Sequence, residues 1–251
     1  MKSTDNQVKV RPVNWTSDEV RAALAGRKTQ IRVPIKLPSN GFELDFDLLE
    51  SDLPAIGFMN NKFGLLTKRE IHPNSNKFER GIIPCPLGKV GDHLWVRETW
   101  KIGAWHEDDG TFAIDYKASP ELTKTPWIYI ADEEEFKKYW VKVTDELNAI
   151  YYPTSENGRY YWEAGKSPLK WKSPVTMPRW ASRLLLEIVD LRVERLHNIT
   201  HNDAVSEACF ISHPEVPLTA FIECWRARYG DKAWQNNPWV WVIDFKVLEG
   251  A

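Results

Sequence analysis

The chain has 251 residues, 43% hydrophobic content and a formal net charge of −2 at pH 7. That length suffices for one large domain or two small ones with real cores, and the charge excludes a globally basic nucleic-acid binder while leaving room for a local basic patch. No apolar run is long enough for a bilayer, "MKSTDNQVKVRP" lacks the apolar core of a signal peptide, and the three cysteines have neither zinc-ligand nor redox spacing. We therefore expect reduced thiols in a cytoplasm, no membrane association, no metal and no other cofactor.

The first forty residues predict a strand, a helix and a second strand. "VKVRPVNW" is typical of a short strand, and a helix follows in "TSDEVRAALAG". Thr16 and Glu19 match a capping box, and Gly26 suits the position just past the helix end. "QIRVPI" predicts the second strand, which Pro34 ends.

Two long segments show weak periodicity and are predicted to be insertions. Residues 37–87 are rich in Pro, Asn and Gly and are expected to be irregular, with room for one hairpin. A strong strand is predicted in "GKVGDHLWVRETW". Residues 103–175 combine two strand-like pieces, "TFAIDYKA" and "GRYYWEAG", with one helix at 132–140.

Regular patterns return in the last third of the chain. In "ASRLLLEIVDLRVERLHNI" the apolar residues lie at even positions up to Ile188 and at odd positions from Val189 onward, which predicts a β-bulge near 188–189. "THNDAVSEAC" predicts a short helix capped by Thr200, and "PLTAFIECWRARYG" an amphipathic helix that Gly230 ends. "PWVWVIDFKVL" predicts the last strand.

These elements predict an α+β fold. Short strands, few helices and one long bulged strand favour a small mixed β-barrel with flanking helices. There is neither an internal repeat nor a low-complexity linker. We therefore expect a single domain over residues 1–251, interrupted by insertions at about 37–87 and 103–175.

Several short motifs in a fixed order resemble the ASCH family, a branch of the PUA-like β-barrels. They are "GRKTQIR", "GDHLWVRETW", "MPRWASR" and "NPWVWV", and the likeness is greatest to phage and prophage members. It covers the first forty residues, 88–100 and 177–248, and leaves both insertions outside. The resemblance implies a PUA-like pseudo-barrel with a cleft that binds a nucleotide or nucleic acid, RNA more than DNA.

The resemblance also implies candidate catalytic residues. Small ASCH enzymes that deacylate N4-acetylcytidine use a Lys and a Thr of the "GRKT" segment and a Glu of a later helix. Here the Lys matches Lys28 and the Glu matches Glu207, whereas the nucleophilic Thr falls on Ile31, which has no hydroxyl. Thr29 lies two residues earlier on the same side of an extended strand, about 7 Å away, and cannot take the same place.

Three residues of "WVRETW" and two arginines near Lys28 are candidate ligands for a base or a phosphate. On a strand, Trp95 and Arg97 share one face and Glu98 lies on the other. A Trp and an Arg two residues apart can stack a base and hold a phosphate. Arg27 and Arg32 are further phosphate candidates.

By composition, residues 165–183 are the strongest candidate for a nucleic-acid binding segment. It contains five cations, no acid and two tryptophans, as in a groove that tracks a nucleic-acid backbone and stacks its bases. Its candidate binding residues are Lys172, Arg179, Trp180 and Arg183.

Each candidate also has a purely structural interpretation. Lys28 could simply neutralise a helix C-terminus, Arg97 could stack on a core tryptophan, and Trp180 could fill a core. Three functions therefore stay open: a nucleic-acid or modified-nucleotide binding protein of ASCH type, an amidohydrolase acting on N4-acylated cytosine nucleosides or, less favoured, a nuclease, and a phage accessory protein that binds a protein partner.

Overall fold

A computed structural model gives the structure of the chain. It describes residues 7–36, 43–44, 56–59, 62–70, 78–119, 126–209 and 216–248. Parts of the first predicted insertion lie outside the described residues, namely 37–42, 45–55, 60–61 and 71–77.

The described residues form strands and helices in a mixed order. The strands are β1 (Val10–Asn14), β2 (Gln30–Pro34), β3 (Glu43–Leu44), β4 (Ile56–Met59), β5 (Lys62–Glu70), β6 (Phe78–Ile83), β7 (His93–Arg97), β8 (Trp100–His106), β9 (Thr111–Tyr116), β10 (Trp127–Tyr129), β11 (Leu185–Arg195) and β12 (Trp239–Val247). The helices are α1 (Ser17–Leu24), α2 (Glu133–Ala149), α3 (His201–Glu207), α4 (Pro217–Tyr229) and α5 (Asp231–Gln235). The protein is therefore α+β, as predicted.

The strands of the described ranges form three open sheets. One has the order β1-β7-β11-β12-β2, one the order β10-β9-β8, and one the order β3-β5-β4 with β6 also paired to β5. None of the three closes into a barrel over these ranges, so the barrel expected from the short strands is not seen there.

The chain divides into two compact units, whereas the sequence led us to expect one domain. The first unit comprises Met1–Val13, Ala22–Trp95 and Leu184–Gly250, and the second comprises Asn14–Arg21 and Val96–Arg183. The second predicted insertion, 103–175, therefore lies wholly in the second unit.

The five-stranded sheet of the first unit contains the predicted β-bulge. The register between β11 and β12 shifts between Ile188 and Asp190, which confirms the prediction. Ile188 lies opposite Phe245 before the shift, and Leu191 lies opposite Ile243 after it. The bulge thus keeps the apolar residues of β11 on one face although their sequence parity changes.

The other face of this sheet packs against the helices of the first unit. Their shared apolar cluster consists of Leu196, Ile199, Ala204, Phe221, Trp225, Val240 and Val242. Helix α3 begins at a complete capping box, in which Thr200 and Asp203 bind each other's backbone N–H groups. Gly230 ends α4 with φ of +86°, as its sequence pattern predicted.

The second unit builds its core from aromatic and branched residues around β8, β9 and α2. Its members include Trp100, Phe112, Ile114, Tyr116, Phe136 and Leu147. Helix α2 begins at Asp132, whose carboxylate accepts from the N–H groups of Glu134 and Glu135, and it is longer than the predicted helix at 132–140. The prediction of a strand in "GRYYWEAG" is wrong. That segment makes only an isolated bridge, which pairs its Tyr160 with Thr154.

Candidate functional site

Lys28 and Glu207 lie 179 residues apart in the sequence and form a buried ion pair in the first unit. The Lys28 Nζ is 3.4 Å from Glu207 Oε2 and also donates to the Glu207 backbone carbonyl at 2.8 Å. The two residues are only 1% and 4% exposed. The two residues that the ASCH resemblance singled out therefore meet in one place.

Backbone hydrogen bonds hold the segment around Lys28 against α3 and β12. The Thr29 N–H donates to the carbonyl of Ser206 at 2.9 Å, and the Thr29 carbonyl accepts from the Phe245 N–H at 2.9 Å. The Lys28 N–H donates to the carbonyl of Ala22 at the end of α1. The side chain of Lys28 is thereby placed under the last turn of α3.

Arg32 extends the pair into a network of charges. Its Nη1 is 3.4 Å from Glu207 Oε1, and its Nη2 is 3.3 Å from one carboxylate oxygen of both Glu194 and Asp203. The Arg32 side chain is fully buried. Its Nε has no hydrogen-bond partner among the residues that the structure describes, although a buried N–H normally finds an acceptor.

Gln30 links this network of charges to β12. Its Nε2 donates to Asp244 Oδ1 at 2.6 Å and to Asp203 Oδ1 at 3.2 Å, while its Oε1 accepts from Arg32. Gln30 is buried, so both ends of its amide are used inside the protein.

Arg192 forms the more exposed side of the network. It contacts Glu194 and Asp244 at 2.6 Å each and Asp203 at 3.0 Å. Burial works to lower the pKa of Arg192, but these carboxylates outweigh burial and raise it. Arg192 is therefore a permanent cation, held in place by acids on three sides.

Asp203 is an acid whose pKa its neighbours shift strongly. Burial would raise the pKa of its carboxyl, but hydrogen bonds from Thr200 and Gln30 and the charge of Arg32 lower it to about 2. Asp203 is thus a carboxylate at any physiological pH.

We call the whole set the polar cluster. Its members are Lys28, Gln30, Arg32, Arg192, Glu194, Asp203, Glu207 and Asp244.

The periodicity of the elements explains why these side chains converge. Gln30 and Arg32 are two residues apart on β2 and share the face opposite Ile31. Asp203 and Glu207 are four residues apart on α3 and share one side of that helix. The bulge in β11 places Arg192 opposite Val242, on the face that α3 covers.

The balance of charge limits what the polar cluster can bind. Three cations, Lys28, Arg32 and Arg192, face the four carboxylates of Glu194, Asp203, Glu207 and Asp244. With the cations already paired, a phosphate would meet a net negative site. A neutral group with several donors and acceptors, such as a nucleobase edge, fits this chemistry better.

Ile31 has no hydroxyl to offer the pair, and Thr29 differs from the pair in its exposure. Ile31 is buried and lies opposite Ile243 in the sheet, on the other face from Arg32. The Thr29 side chain is exposed, whereas Lys28 and Glu207 are buried.

The other two candidates of the first unit lie outside the polar cluster as defined. Arg27 is exposed after the end of α1. Trp95 is half-buried on β7, opposite Leu185 of β11.

The buried Glu98 and the half-buried Arg183 form an ion pair in the second unit. The Arg183 Nε and Nη2 donate to the two oxygens of Glu98 at 2.8 and 3.0 Å, and the guanidinium lies 4.2 Å from the centre of the Tyr116 ring. Burial raises the pKa of Glu98 although Arg183 opposes this. These contacts favour a structural role for both residues.

Two further candidates of the second unit also have internal partners. The Lys172 Nζ is 2.8 Å from a carboxylate oxygen of Glu146. Trp180 packs against Trp100 and Phe112, with ring centres 6.3 and 5.8 Å apart. In the basic stretch 165–183, Lys172 is thus already paired with an acid of the protein and Trp180 is packed against other rings of the protein.

The last two candidates lie nearer the surface of the second unit. Arg179 is exposed in a short 3₁₀ helix. The Arg97 side chain is half-buried and donates to Asn14 Oδ1 at 2.7 Å and to the Val175 carbonyl at 3.2 Å.

Sequence reasoning missed five members of the polar cluster. They are Gln30, Arg192, Glu194, Asp203 and Asp244. Two signals could have found some of them: Asp244 is a lone acid inside the apolar run "WVWVIDF", and Asp203 precedes Glu207 by one helical turn. Nothing in the sequence spacing shows that β11 lies beside them.

Two general features of the described residues bear on function. No group of three or more His, Cys, Asp and Glu side chains in the described ranges is placed to hold a metal ion. No helix within those ranges is both long and apolar enough to cross a membrane.

Comparison of the chain with protein-family models, with curated proteins and with solved structures finds no match to any of them. The resemblance to the ASCH family therefore rests on the short motifs and on the positions of their residues in the structure.

Proposed function

We propose that this protein is a nucleic-acid or modified-nucleotide binding protein of the ASCH type, in the PUA-like class, and that its polar cluster recognises a base. One observation carries the proposal: Lys28 and Glu207, the two residues that the motifs single out, form a buried pair across 179 residues of sequence. The base would come from RNA rather than DNA, or from a free modified nucleoside.

The chemistry of the cluster favours the base over the phosphate backbone. A base edge offers donors and acceptors to carboxylates, amides and guanidinium groups alike. A polyanion would need unpaired cations, and the cations of the cluster already face carboxylates.

A second candidate is an amidohydrolase that deacylates N4-acylated cytosine nucleosides. The Lys28–Glu207 pair supports it, because Glu207 could activate water and Lys28 could stabilise developing negative charge. The buried Ile31 in place of a nucleophilic Thr weighs against it. Binding is therefore the first proposal and hydrolysis the second.

A panel of modified nucleosides tests both. Calorimetry would detect binding and mass spectrometry would detect deacylated product, for the wild type and for the double variant Lys28→Met/Glu207→Gln, which removes both charges of the pair and leaves neither one buried alone. We expect at least one acylated or otherwise modified cytidine to bind the wild type, and the double variant to bind it at least about tenfold more weakly.

The matched control is the double variant Lys101→Met/Asp115→Asn in the second unit, which likewise removes both charges of a buried pair. Lys101 is also buried and lies 3.9 Å from the carboxylate of Asp115, so this control disturbs a buried pair without touching the polar cluster. Product formed by the wild type and lost in Lys28→Met/Glu207→Gln would establish hydrolysis. Equal binding by the wild type and Lys28→Met/Glu207→Gln, or no binding of any nucleoside, would contradict the proposal.

A further inference from the structure

An open cavity of about 520 Å³ lies in the second unit and is lined by aromatic side chains. We call it the aromatic cleft. Its rings are Trp105, Trp127, Trp140, Tyr160, Tyr161 and Trp162. They come from β8, β10, α2 and the segment after α2, so four parts of the unit converge on one space.

The rings meet at wide angles and are held by hydrogen bonds. Trp105 contacts Tyr160 and Trp162 with ring centres 6.2 and 5.7 Å apart and planes tilted by 59° and 55°. Trp162 Nε1 donates to the Gly103 carbonyl at 2.6 Å, and the Tyr160 hydroxyl donates to Asn148 at 2.6 Å. The rings therefore form a preorganised corner and not a flat stack, which lowers the ordering cost of binding.

Two of the rings are open to solvent. Trp127 is 49% exposed and Tyr161 is 79% exposed. The His106 ring lies 4.4 Å from that of Trp127, tilted by 30°. Exposed rings that are grouped in one cleft, and not scattered singly over the surface, are typical of a binding site.

The charge around the cleft is negative. Glu107 and Asp108 line it, and Arg159 is the cation that lines it with them. A second cavity of about 550 Å³ shares Glu107, Asp108 and Trp140 with the cleft. The charged residues that this second cavity adds are Asp109, Glu133 and Lys137. Carboxylates thus outnumber cations by four to two around the two cavities taken together.

We propose that the aromatic cleft binds a small organic cation of the methylated-ammonium class. The faces of Trp and Tyr rings attract cations that lie within about 6 Å of their centres, and a methylated ammonium loses little hydration when it enters such a site. The surrounding carboxylates add attraction, whereas they would repel a phosphate chain. This site is independent of the polar cluster and of the function proposed for it.

The test compares choline with its uncharged isostere 3,3-dimethylbutan-1-ol on the full chain, by quenching of tryptophan fluorescence and by calorimetry. The two ligands have the same shape and differ in charge. We expect choline to bind saturably and at least about tenfold more tightly than the isostere. Equal binding of the two, tighter binding of cytidine monophosphate than of choline, or no saturation by about 20 mM choline would overturn the proposal.

Variants at exposed positions separate the site from the fold. Trp127→Ala and Glu107→Gln/Asp108→Asn should each weaken choline binding at least about fivefold. The matched control is Trp171→Ala, which changes a tryptophan of the same unit that is 39% exposed and does not line the cleft. Unchanged binding in Trp127→Ala, or an equal loss in Trp171→Ala, would also overturn the proposal.

Discussion

Asp203 takes part in both the local structure of α3 and the polar cluster. Its Oδ2 accepts from the backbone N–H and the hydroxyl of Thr200, which caps the helix, and its Oδ1 accepts from Gln30 and Arg192. A single carboxylate thus fixes where α3 begins and where its acidic side faces. The position of Glu207 one turn later depends on this contact.

The low pKa of Asp203 predicts how its contribution to stability depends on pH. The folded pKa of about 2 lies below the unfolded value of about 3.9. The stabilisation is therefore complete above about pH 4 and is lost as the pH falls towards 2. We expect Asp203→Asn to lower the free energy of unfolding by about 1–3 kcal/mol at pH 7, and this difference from wild type to shrink between pH 4 and 2.

Urea unfolding at a series of pH values measures this difference. The control is Asp190→Asn, which changes an exposed aspartate 3.6 Å from Arg192 on β11. If Asp203→Asn lowered the free energy of unfolding by the same amount from pH 6 to pH 2, this would contradict the low pKa of Asp203.

The β-bulge determines which side chains of β11 lie on the same face as the polar cluster. Ile188 comes before the bulge and Leu191 comes after it. Both lie opposite residues on the same face of β12. Val189, the extra residue, is partly exposed. Removing it would leave an unbroken alternation of apolar and polar residues in β11, with Arg192 and Glu194 still on the face that α3 covers.

Deletion of Val189 is therefore expected to preserve the fold and the polar cluster. We expect the deletion protein to unfold cooperatively and to lose less than about 2 kcal/mol of stability, since little buried surface is removed. Deletion of Val193 is the matched comparison, because it moves the last residues of β11 to the wrong face without any bulge to absorb the change. Similar damage from both deletions, measured by thermal unfolding, would show that this account of the bulge is wrong.

Local patterns predicted the elements well where the signal is short-range. The capping box of α1, the Thr200 cap of α3 and the bulge are confirmed, because each depends on residues within a few positions of one another. The strand expected in "GRYYWEAG" failed, since β-propensity depends on a partner strand that the sequence does not name. The meeting of Lys28 and Glu207 followed only from the family resemblance, because pairing over 179 residues leaves no local signal.

At the scale of the molecule, both proposed binding sites carry an excess of acids. The net charge is −2, the polar cluster has an excess of carboxylates, and the cavities of the second unit are lined by more acids than bases. The division into two units was not apparent in the sequence, because the sequence has no low-complexity linker to mark it. The two proposals instead differ in the groups that would surround the ligand, which are hydrogen-bonding side chains in the polar cluster and aromatic rings in the cleft.

This distribution of charge predicts a weak dependence of RNA binding on salt. Each phosphate contact to single-stranded nucleic acid contributes about −0.7 to the slope of log K against log salt concentration. We expect a slope shallower than about −2 for a short single-stranded RNA that carries the preferred base, measured by fluorescence anisotropy between about 50 and 200 mM salt. A slope steeper than about −4 would indicate a backbone-tracking groove, such as the one first considered for residues 165–183.

The most direct test of the central claim is a crystal structure of the protein with the modified nucleoside that it binds best. We expect density for the base at the polar cluster, with a ring nitrogen or exocyclic group at hydrogen-bond distance, about 3 Å, from Lys28, Glu207 or Arg32. A nucleoside bound at full occupancy elsewhere, with the Lys28–Glu207 ion pair unchanged and uncontacted, would contradict it.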